Sequence, residues 1–196
     1  MTEAFILASA SPRRRELLAS IGLDFDVLPS DIPEVRGEGE APEEYVARLS
    51  REKATAIADK HPDRWVIAAD TTVLLGEQVL EKPQDADDAR RMLTTIAGNT
   101  HIVYTGVTLM NVEGHHRDTR VAESEVRILP LTVDDIAWYV RTGEPLDKAG
   151  AYAAQGLGGM FVDSIHGSYT NVVGLPLALL FQMLRRAGID PLTRAE

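Results

Sequence analysis

Phe5-Ile6-Leu7-Ala8-Ser9-Ala10-Ser11-Pro12-Arg13-Arg14-Arg15-Glu16-Leu17-Leu18 joins a short apolar run to a helix that opens on three arginines. Phe5 to Ala8 form the unbroken hydrophobic run that a strand of a parallel sheet needs when both its faces are covered. Pro12 suits the first turn of a helix, where its missing N–H costs no hydrogen bond, and Leu17, Leu18 and Ile21 continue at helical spacing. Free backbone N–H groups at this helix start, the Ser9 and Ser11 hydroxyls and the Arg13 and Arg14 guanidinium groups then converge on one point. That is an anion site, and it points to a nucleotide or another phosphorylated small molecule.

Outward from this stretch, strands and helices alternate. Phe25 to Leu28 reads as a strand, and Pro29 to Glu40 as a polar, acid-rich loop of the kind that can carry function. Pro42 to about Lys60 is a strong helix and Trp65 to Ala69 a buried strand; Thr72 to Leu75 and Gln78 to Leu80 pair as a hairpin turned at Gly76-Glu77. Asp85 to Ala97 is the next helix. Thr100 to Met110 and Arg117 to Leu129 alternate as two long strands around Asn111-Val112-Glu113-Gly114, which predicts an antiparallel ribbon. Thr132 opens a helix to about Thr142, Gly143 to Gly159 is rich in glycine and small residues, Met160 to Ile165 is strand-like, and Leu175 to Ala187 forms a closing amphipathic helix around Pro176. The tail from Asp190 is expected to fray. With no repeat or linker, the pattern predicts α/β: one domain over residues 1–196, a mixed twisted sheet with flanking helices.

The 196 residues suffice for one good core, with two lobes around a cleft. A hydrophobic fraction of 44% and a charged fraction of 26% are those of an ordinary globular protein, with no apolar run long enough to span a bilayer. Glu3 replaces the basic flank of a secretory signal, so the N-terminus reads as a first strand. The chain has no cysteine, which excludes disulfides, thiolate metal sites and thiol nucleophiles and fits a reducing cytoplasm. A formal charge of -10 disfavours nonspecific binding to nucleic acid or anionic membranes. The expected ligand is therefore small, and an acidic protein holding a polyanion gains from a divalent metal that bridges carboxylates and phosphates.

Among residues that could do chemistry, Lys53 falls inside the apolar stripe of its helix, formed by Tyr45, Val46, Leu49, Ala56 and Ile57. It either snorkels along the edge of the core or points an ammonium into a phosphate cleft. Asp70 closes the buried run Val66 to Ala69, at the C-terminal strand end where α/β folds commonly bind ligands; a turn or cap aspartate is the plain alternative. Lys82-Pro83 adds a cation beside the next helix start. Glu34 lies among Asp31, Glu38 and Glu40, most of which read as solvated charge, and only a position near Asp70 would single one out. His115-His116 reads as an exposed hairpin tip, and His101 and His61 carry no signal. Gly143 to Gly156 mixes turn formers and charges like the wall of a site, and Gln155 has the amide that can read the edge of a base; a glycine-rich connector with an Asp147 to Lys148 pair is the plain account. Neither a Gly-x-Ser-x-Gly elbow nor a phosphate loop nor a Gly-x-Gly-x-x-Gly turn is present, against hydrolase-elbow, kinase, GTPase and dinucleotide readings. A phosphomonoesterase or sugar-phosphate enzyme would need only the first anion site and would leave Gln155 unemployed.

Ser9-Ala10-Ser11-Pro12-Arg13-Arg14 with Glu16-Leu17-Leu18, Glu52-Lys53-Ala54, Ala69-Asp70-Thr71, Lys82-Pro83, Gly98 with His101, Glu144-Pro145-Leu146-Asp147-Lys148-Ala149-Gly150, Gln155-Gly156 and Val173-Gly174-Leu175-Pro176 follow one another as in the Maf family of nucleoside triphosphate pyrophosphatases, which the chain resembles from about residue 5 to 187. The resemblance implies a fold similar to the inosine-triphosphate pyrophosphatases, with a deep cleft between two lobes. It implies cleavage of a nucleoside triphosphate to the monophosphate and pyrophosphate with Mg2+ or Mn2+, by a cytoplasmic and often dimeric protein. Asp70 would be the general base and a metal ligand, Glu34 a second metal ligand, and Ser9, Arg14, Lys53 and Lys82 the triphosphate ligands. Arg13, Thr71 and Gln155 match the specificity set of the dTTP and UTP branch; the sister branch preferring 7-methyl-GTP has an aromatic, a glutamine and a glutamate there. The family's association with inhibition of septum formation supplies a second reading, a nucleotide-binding regulator without significant turnover.

Overall fold

The computed structural model describes residues 5–191, so Glu3 and the tail beyond Pro191 lie outside the described residues. The strands are β1 (Phe5–Leu7), β2 (Phe25–Val27), β3 (Trp65–Leu75), β4 (Gln78–Leu80), β5 (Thr100–Asn111), β6 (His116–Ile128) and β7 (Val162–His166). The helices are α1 (Pro12–Ala19), α2 (Pro42–Ala58), α3 (Ala86–Ile96), α4 (Val133–Arg141), α5 (Tyr169–Val173) and α6 (Leu177–Arg186). The sheet has seven strands, ordered β2-β1-β3-β5-β6-β7 with β4 on β3. β1 is parallel to both neighbours, Phe5 standing opposite Phe25 and Trp65, whereas β3–β4 and β6–β7 are antiparallel. The fold is thus the mixed α/β arrangement that the alternation of elements predicts. Among the described residues no helix is long and apolar enough to cross a membrane.

Two compact units divide the chain: residues up to Asp70 with Thr105–Ala122 and those from Gly174 on, and Thr71–Tyr104 with Glu123–Val173. In the first, all three residues of β1 are buried, as a strand with helices over both faces requires. Its core joins Ile6, Ala8, Ala54, Ile57, Val66 and Ala68. A Cβ at Gly106 of β5 would run into the backbone of Val46 and Ala47, so α2 lies directly on the sheet at a spacing only glycine permits. The Ser50 and Thr108 hydroxyls meet at 3.0 Å, and Thr108 meets Thr119 at 2.9 Å, which satisfies polar groups in this dry layer.

In the second unit Val73, Leu93, Ile96, Val126, Tyr139 and Phe161 share one core. Asp85 caps α3 by accepting from the Asp87 and Asp88 N–H groups, and Thr132 and Asp135 form a reciprocal capping box on α4. The glycine-rich stretch folds as three short 3-10 helices, Glu144–Asp147, Ala149–Ala151 and Gly156–Phe161. Lys148 pairs with Asp147 at 2.6 Å, the pairing that the plain account of this stretch predicts.

Beyond shifts of one or two residues at element ends, two features differ from expectation. β3 does not stop after Ala69: it runs eleven residues from Trp65 to Leu75, so Asp70 lies inside a strand and not at its end. Thr71, Thr72 and Val73 are β-branched and favour continuation, and the Asp70 carboxylate has a partner that makes burial tolerable. The short helix α5 follows Ser168, whose hydroxyl accepts from the Asn171 N–H at 3.2 Å; a single turn carries too little periodicity to be read from sequence.

His101, unremarkable in the sequence, is 1% exposed; its Nε2 and the Tyr152 hydroxyl share a 2.8 Å hydrogen bond, while Nδ1 has no hydrogen-bond partner among the described residues. Burial lowers its imidazole from 6.5 to about 4. Between those values the unfolded chain takes up a proton that the folded chain refuses, so this contribution is complete above the unfolded value and is lost as pH falls. The loss amounts to about 3 kcal/mol in all. Urea unfolding between about pH 4 and 7 should show this slope in the native chain and a flatter one in His101→Gln. An unchanged slope in the variant would discharge His101 from the effect.

Candidate active site

α1 begins where the opening stretch predicts, and Ser11 is its N-cap, its hydroxyl accepting from the Arg14 N–H at 3.5 Å. Ser9, buried two residues past β1, accepts at Oγ from the Ser11 N–H and from Arg14 Nη1, both at 3.2 Å. Arg14 Nε donates to the Gly174 carbonyl at 2.8 Å. Arg14 is therefore held at two points of its guanidinium, by the turn that joins β1 to its own helix and by the chain just before α6. Burial lowers its pKa, an effect partly offset by the nearby Asp70 and Glu34 carboxylates and reinforced by Arg13. The guanidinium remains charged, as arginine does in proteins. Arg13, the second residue of α1, is half-buried.

The decisive side chain is Lys53. The stripe Tyr45, Val46, Leu49, Ile57 turns one face of α2 onto the core, and Lys53 goes with it, only 5% exposed. The snorkelling account fails, because the ammonium itself is buried. Its Nζ lies 2.6 Å from Asp70 Oδ1 and 2.5 Å from Glu34 Oε1. Asp70 is 6% exposed, and Glu34 reaches in from the acid-rich loop with 38% of its side chain exposed. Proximity to Asp70 is thus what distinguishes Glu34 from its acidic neighbours.

That loop is tied to α2 by Arg48, nearer the N-terminal end of the helix than Lys53. Its Nε donates to Glu40 Oε1 at 2.7 Å, and its Nη2 donates to Glu40 Oε2 at 2.8 Å and to the Val35 carbonyl at 3.0 Å. The guanidinium holds the Glu40 carboxyl at about 2, well below its ordinary range. Glu40, a solvated charge in the sequence reading, instead holds Arg48, which in turn holds the carbonyl of Val35, the residue next to Glu34. Its position eight before Arg48, across a helix start, gives no periodic signal.

Two carboxylates within hydrogen-bond distance of one nitrogen converge on a single point and offer hard oxygen donors of the kind Mg2+ and Mn2+ take. Among the described residues no cluster of three or more His, Asp and Glu could hold a metal ion. The pair fits the mode in which one or two protein carboxylates are completed by water and phosphate oxygens. Chemically, the arrangement combines an acceptor for a proton of water with fixed cations suited to phosphate oxygens.

The remaining sequence-predicted residues belong to the second unit. Thr71 follows Asp70 in β3 and is half-buried; Lys82 is exposed after β4, beside the buried Pro83; Gln155 is half-buried just before the last 3-10 helix. The structure brings together Ser9 with Arg14, and Lys53 with Asp70 and Glu34, in the first unit.

Comparison with known proteins gives concordant results. The family model for Maf-like proteins matches residues 4–187. A dTTP/UTP pyrophosphatase of Myxococcus xanthus (strain DK1622) is 53% identical over 191 residues, 97% of this chain and 96% of that protein. Proteins of the same name from Anaeromyxobacter dehalogenans (strain 2CP-C) and Syntrophus aciditrophicus (strain SB) are 53% and 48% identical, each over 96% of this chain and over 96% and 92% of their own lengths. The structure of the Staphylococcus aureus Ham1 protein superposes with a TM-score of 0.52 at 16% identity, over 94% of this chain and 100% of that one, a likeness of fold.

Breaking the ion pair from one side leaves a buried carboxylate without its main partner. Lys53→Met should lower the unfolding free energy in urea by about 3 kcal/mol, and adding Asp70→Asn should recover most of that loss. If the double variant is no more stable than the single one, the pair is not what makes burial of Asp70 possible.

Proposed function

The chain belongs to the family of Maf-like proteins, and from that membership we propose that it hydrolyses nucleoside triphosphates, dTTP and UTP first among them, to the monophosphate and pyrophosphate. The observation that carries this reading is the buried Lys53 ammonium shared by Asp70 and Glu34, with the pinned Arg14 within electrostatic reach of both carboxylates. The names of relatives about half identical in sequence support the substrate class.

Water attacks the α-phosphorus, the bond from that phosphorus to the bridging oxygen of the β-phosphoryl group breaks, and pyrophosphate departs with the electron pair. Asp70 takes the proton that the attacking water releases. Its partner Lys53 sets the direction of the carboxylate, so the base is aimed before substrate arrives. Glu34 and Asp70 would hold a divalent cation, Mg2+ or Mn2+, which when bound neutralises phosphate charge and lowers the pKa of its water. Ser9, Arg14, Lys53 and Lys82 are read as triphosphate ligands, their positive charge offsetting what accumulates on the leaving group. Arg13, Thr71 and Gln155 are read as the residues that distinguish the base, as the family resemblance implies. The same resemblance supports a single-domain cytoplasmic homodimer that acts on free nucleotides.

A panel of canonical and modified nucleoside triphosphates, assayed for pyrophosphate release with and without divalent ion, should show dTTP and UTP leading and activity lost on chelation. Asp70→Asn should reduce turnover by about 10²- to 10⁴-fold while nucleotide still binds. Near-normal hydrolysis by that variant removes Asp70 from its role. Preference for 7-methyl-GTP overturns the specificity assignment, and tight binding without turnover by the native chain favours the regulator.

A further inference from the structure

Glu144 opens the first 3-10 helix, and its carboxylate reaches across to the stretch that carries Gln155. Its Oε1 accepts from the Tyr139 hydroxyl at 2.8 Å and from the Gly158 N–H at 2.9 Å, and its Oε2 accepts from the Leu157 N–H at 3.1 Å. The Tyr139 hydroxyl in turn accepts from the Ala153 N–H at 3.1 Å. Gln155 is thereby held through backbone bonds two residues before it and two and three residues after it. Lys148 donates to the Glu144 carbonyl at 2.6 Å, which steadies the base of the clamp.

The closeness of this packing shows in its glycines. Gly156 has φ +69, and a Cβ there would stand 2.7 Å from Glu144 Oε2; a Cβ at Gly158 would overlap the Tyr139 hydroxyl. Burial pushes the Glu144 carboxyl up, but the Gly158, Tyr139 and Leu157 donors and the Lys148 charge outweigh it and hold the carboxyl below its ordinary value. Glu144 is therefore an anion at neutral pH and a strong acceptor for all three bonds. Tyr139 is buried against Phe161, with ring centroids 5.2 Å apart, so the clamp is rooted in the unit's core.

We propose that Glu144, acting with Tyr139, is a positioning residue that fixes Gln155 for reading the nucleobase. The inference rests on the pyrimidine triphosphate reading above. A side-chain amide discriminates between bases only if its donor and acceptor are held in one orientation; a mobile one binds several bases about equally.

The test compares Glu144→Gln, Tyr139→Phe and Gln155→Ala, alone and combined, in steady-state kinetics with dTTP and CTP. Glu144→Gln keeps the shape but turns one oxygen into a donor facing a donor, and Tyr139→Phe keeps the core packing, so both should fold. Each should raise KM for dTTP by about tenfold, more than it lowers kcat, and narrow the preference for dTTP over CTP. In the Gln155→Ala background, neither should narrow that preference further, because its reader is already gone. A preference unchanged by the single variants, or an equal further loss in the Gln155→Ala background, overturns the proposal. If the native chain releases no pyrophosphate from any nucleotide, the hydrolase reading fails by itself. Calorimetric binding of dTTP against CTP to the same variants then decides the positioning role by the same two outcomes, and a native chain that binds neither nucleotide overturns it.

Discussion

An ammonium taken out of water costs several kcal/mol unless opposite charge meets it at hydrogen-bond distance. Lys53 cannot avoid that cost, because the apolar stripe of α2 turns it toward the sheet. Asp70 meets it from β3 and Glu34 from the loop before α2, and each of these placements imposes a further one. β3 must carry a charge in its buried middle, and α2 must lie close on the sheet, which the absence of a side chain at Gly106 permits. The Glu34 loop must not wander, and Arg48 holds it through Glu40 and the Val35 carbonyl. A salt bridge of this kind is weak evidence for stability, since a well-packed apolar pair can serve as well. In the proposed hydrolysis it would serve to preorganise a carboxylate for chemistry on water.

The same physical logic recurs at Glu144 in a different form. There a carboxylate spends its acceptor capacity on backbone N–H groups and a tyrosine hydroxyl, and so fixes a loop and not another side chain. Around Asp70, charge opposes charge; around Glu144, a charge organises dipoles. Asp70 is buried and Glu144 half-buried, and in each case removal from water strengthens the interaction and makes its loss costly. Both also give acidic groups of a chain whose formal charge is -10 a structural duty that composition alone would not assign them.

Much of this was legible in the chain as written. The apolar run Phe5 to Ala8 followed by Pro12 announces a covered strand and a helix start, and both stand where they are expected. Long periodic segments such as α2, and the ribbon β5 and β6, were readable because side chains on one face recur at the spacing of the element. Asp70 is visible as an acid in a buried context, but the sequence ends its strand too early, because a charged residue ordinarily closes a core strand and the partner that lets this one continue lies seventeen residues away on α2. Glu40 and Glu144 gave little signal for the same reason. Their partners are set by chain reversal, which carries no period.

By itself the sequence determined the class of fold, the position of most elements, the family and the residue types able to grip phosphate, since these follow from local propensity, hydrophobic period and motif order. The tertiary structure alone decided that Glu34 shares Lys53 with Asp70, and that Glu144 and Tyr139 together hold the two sides of Gln155. Hydrogen bonds and ion pairs act over about 3 Å in space, and separation along a chain says nothing of that distance until the backbone has folded.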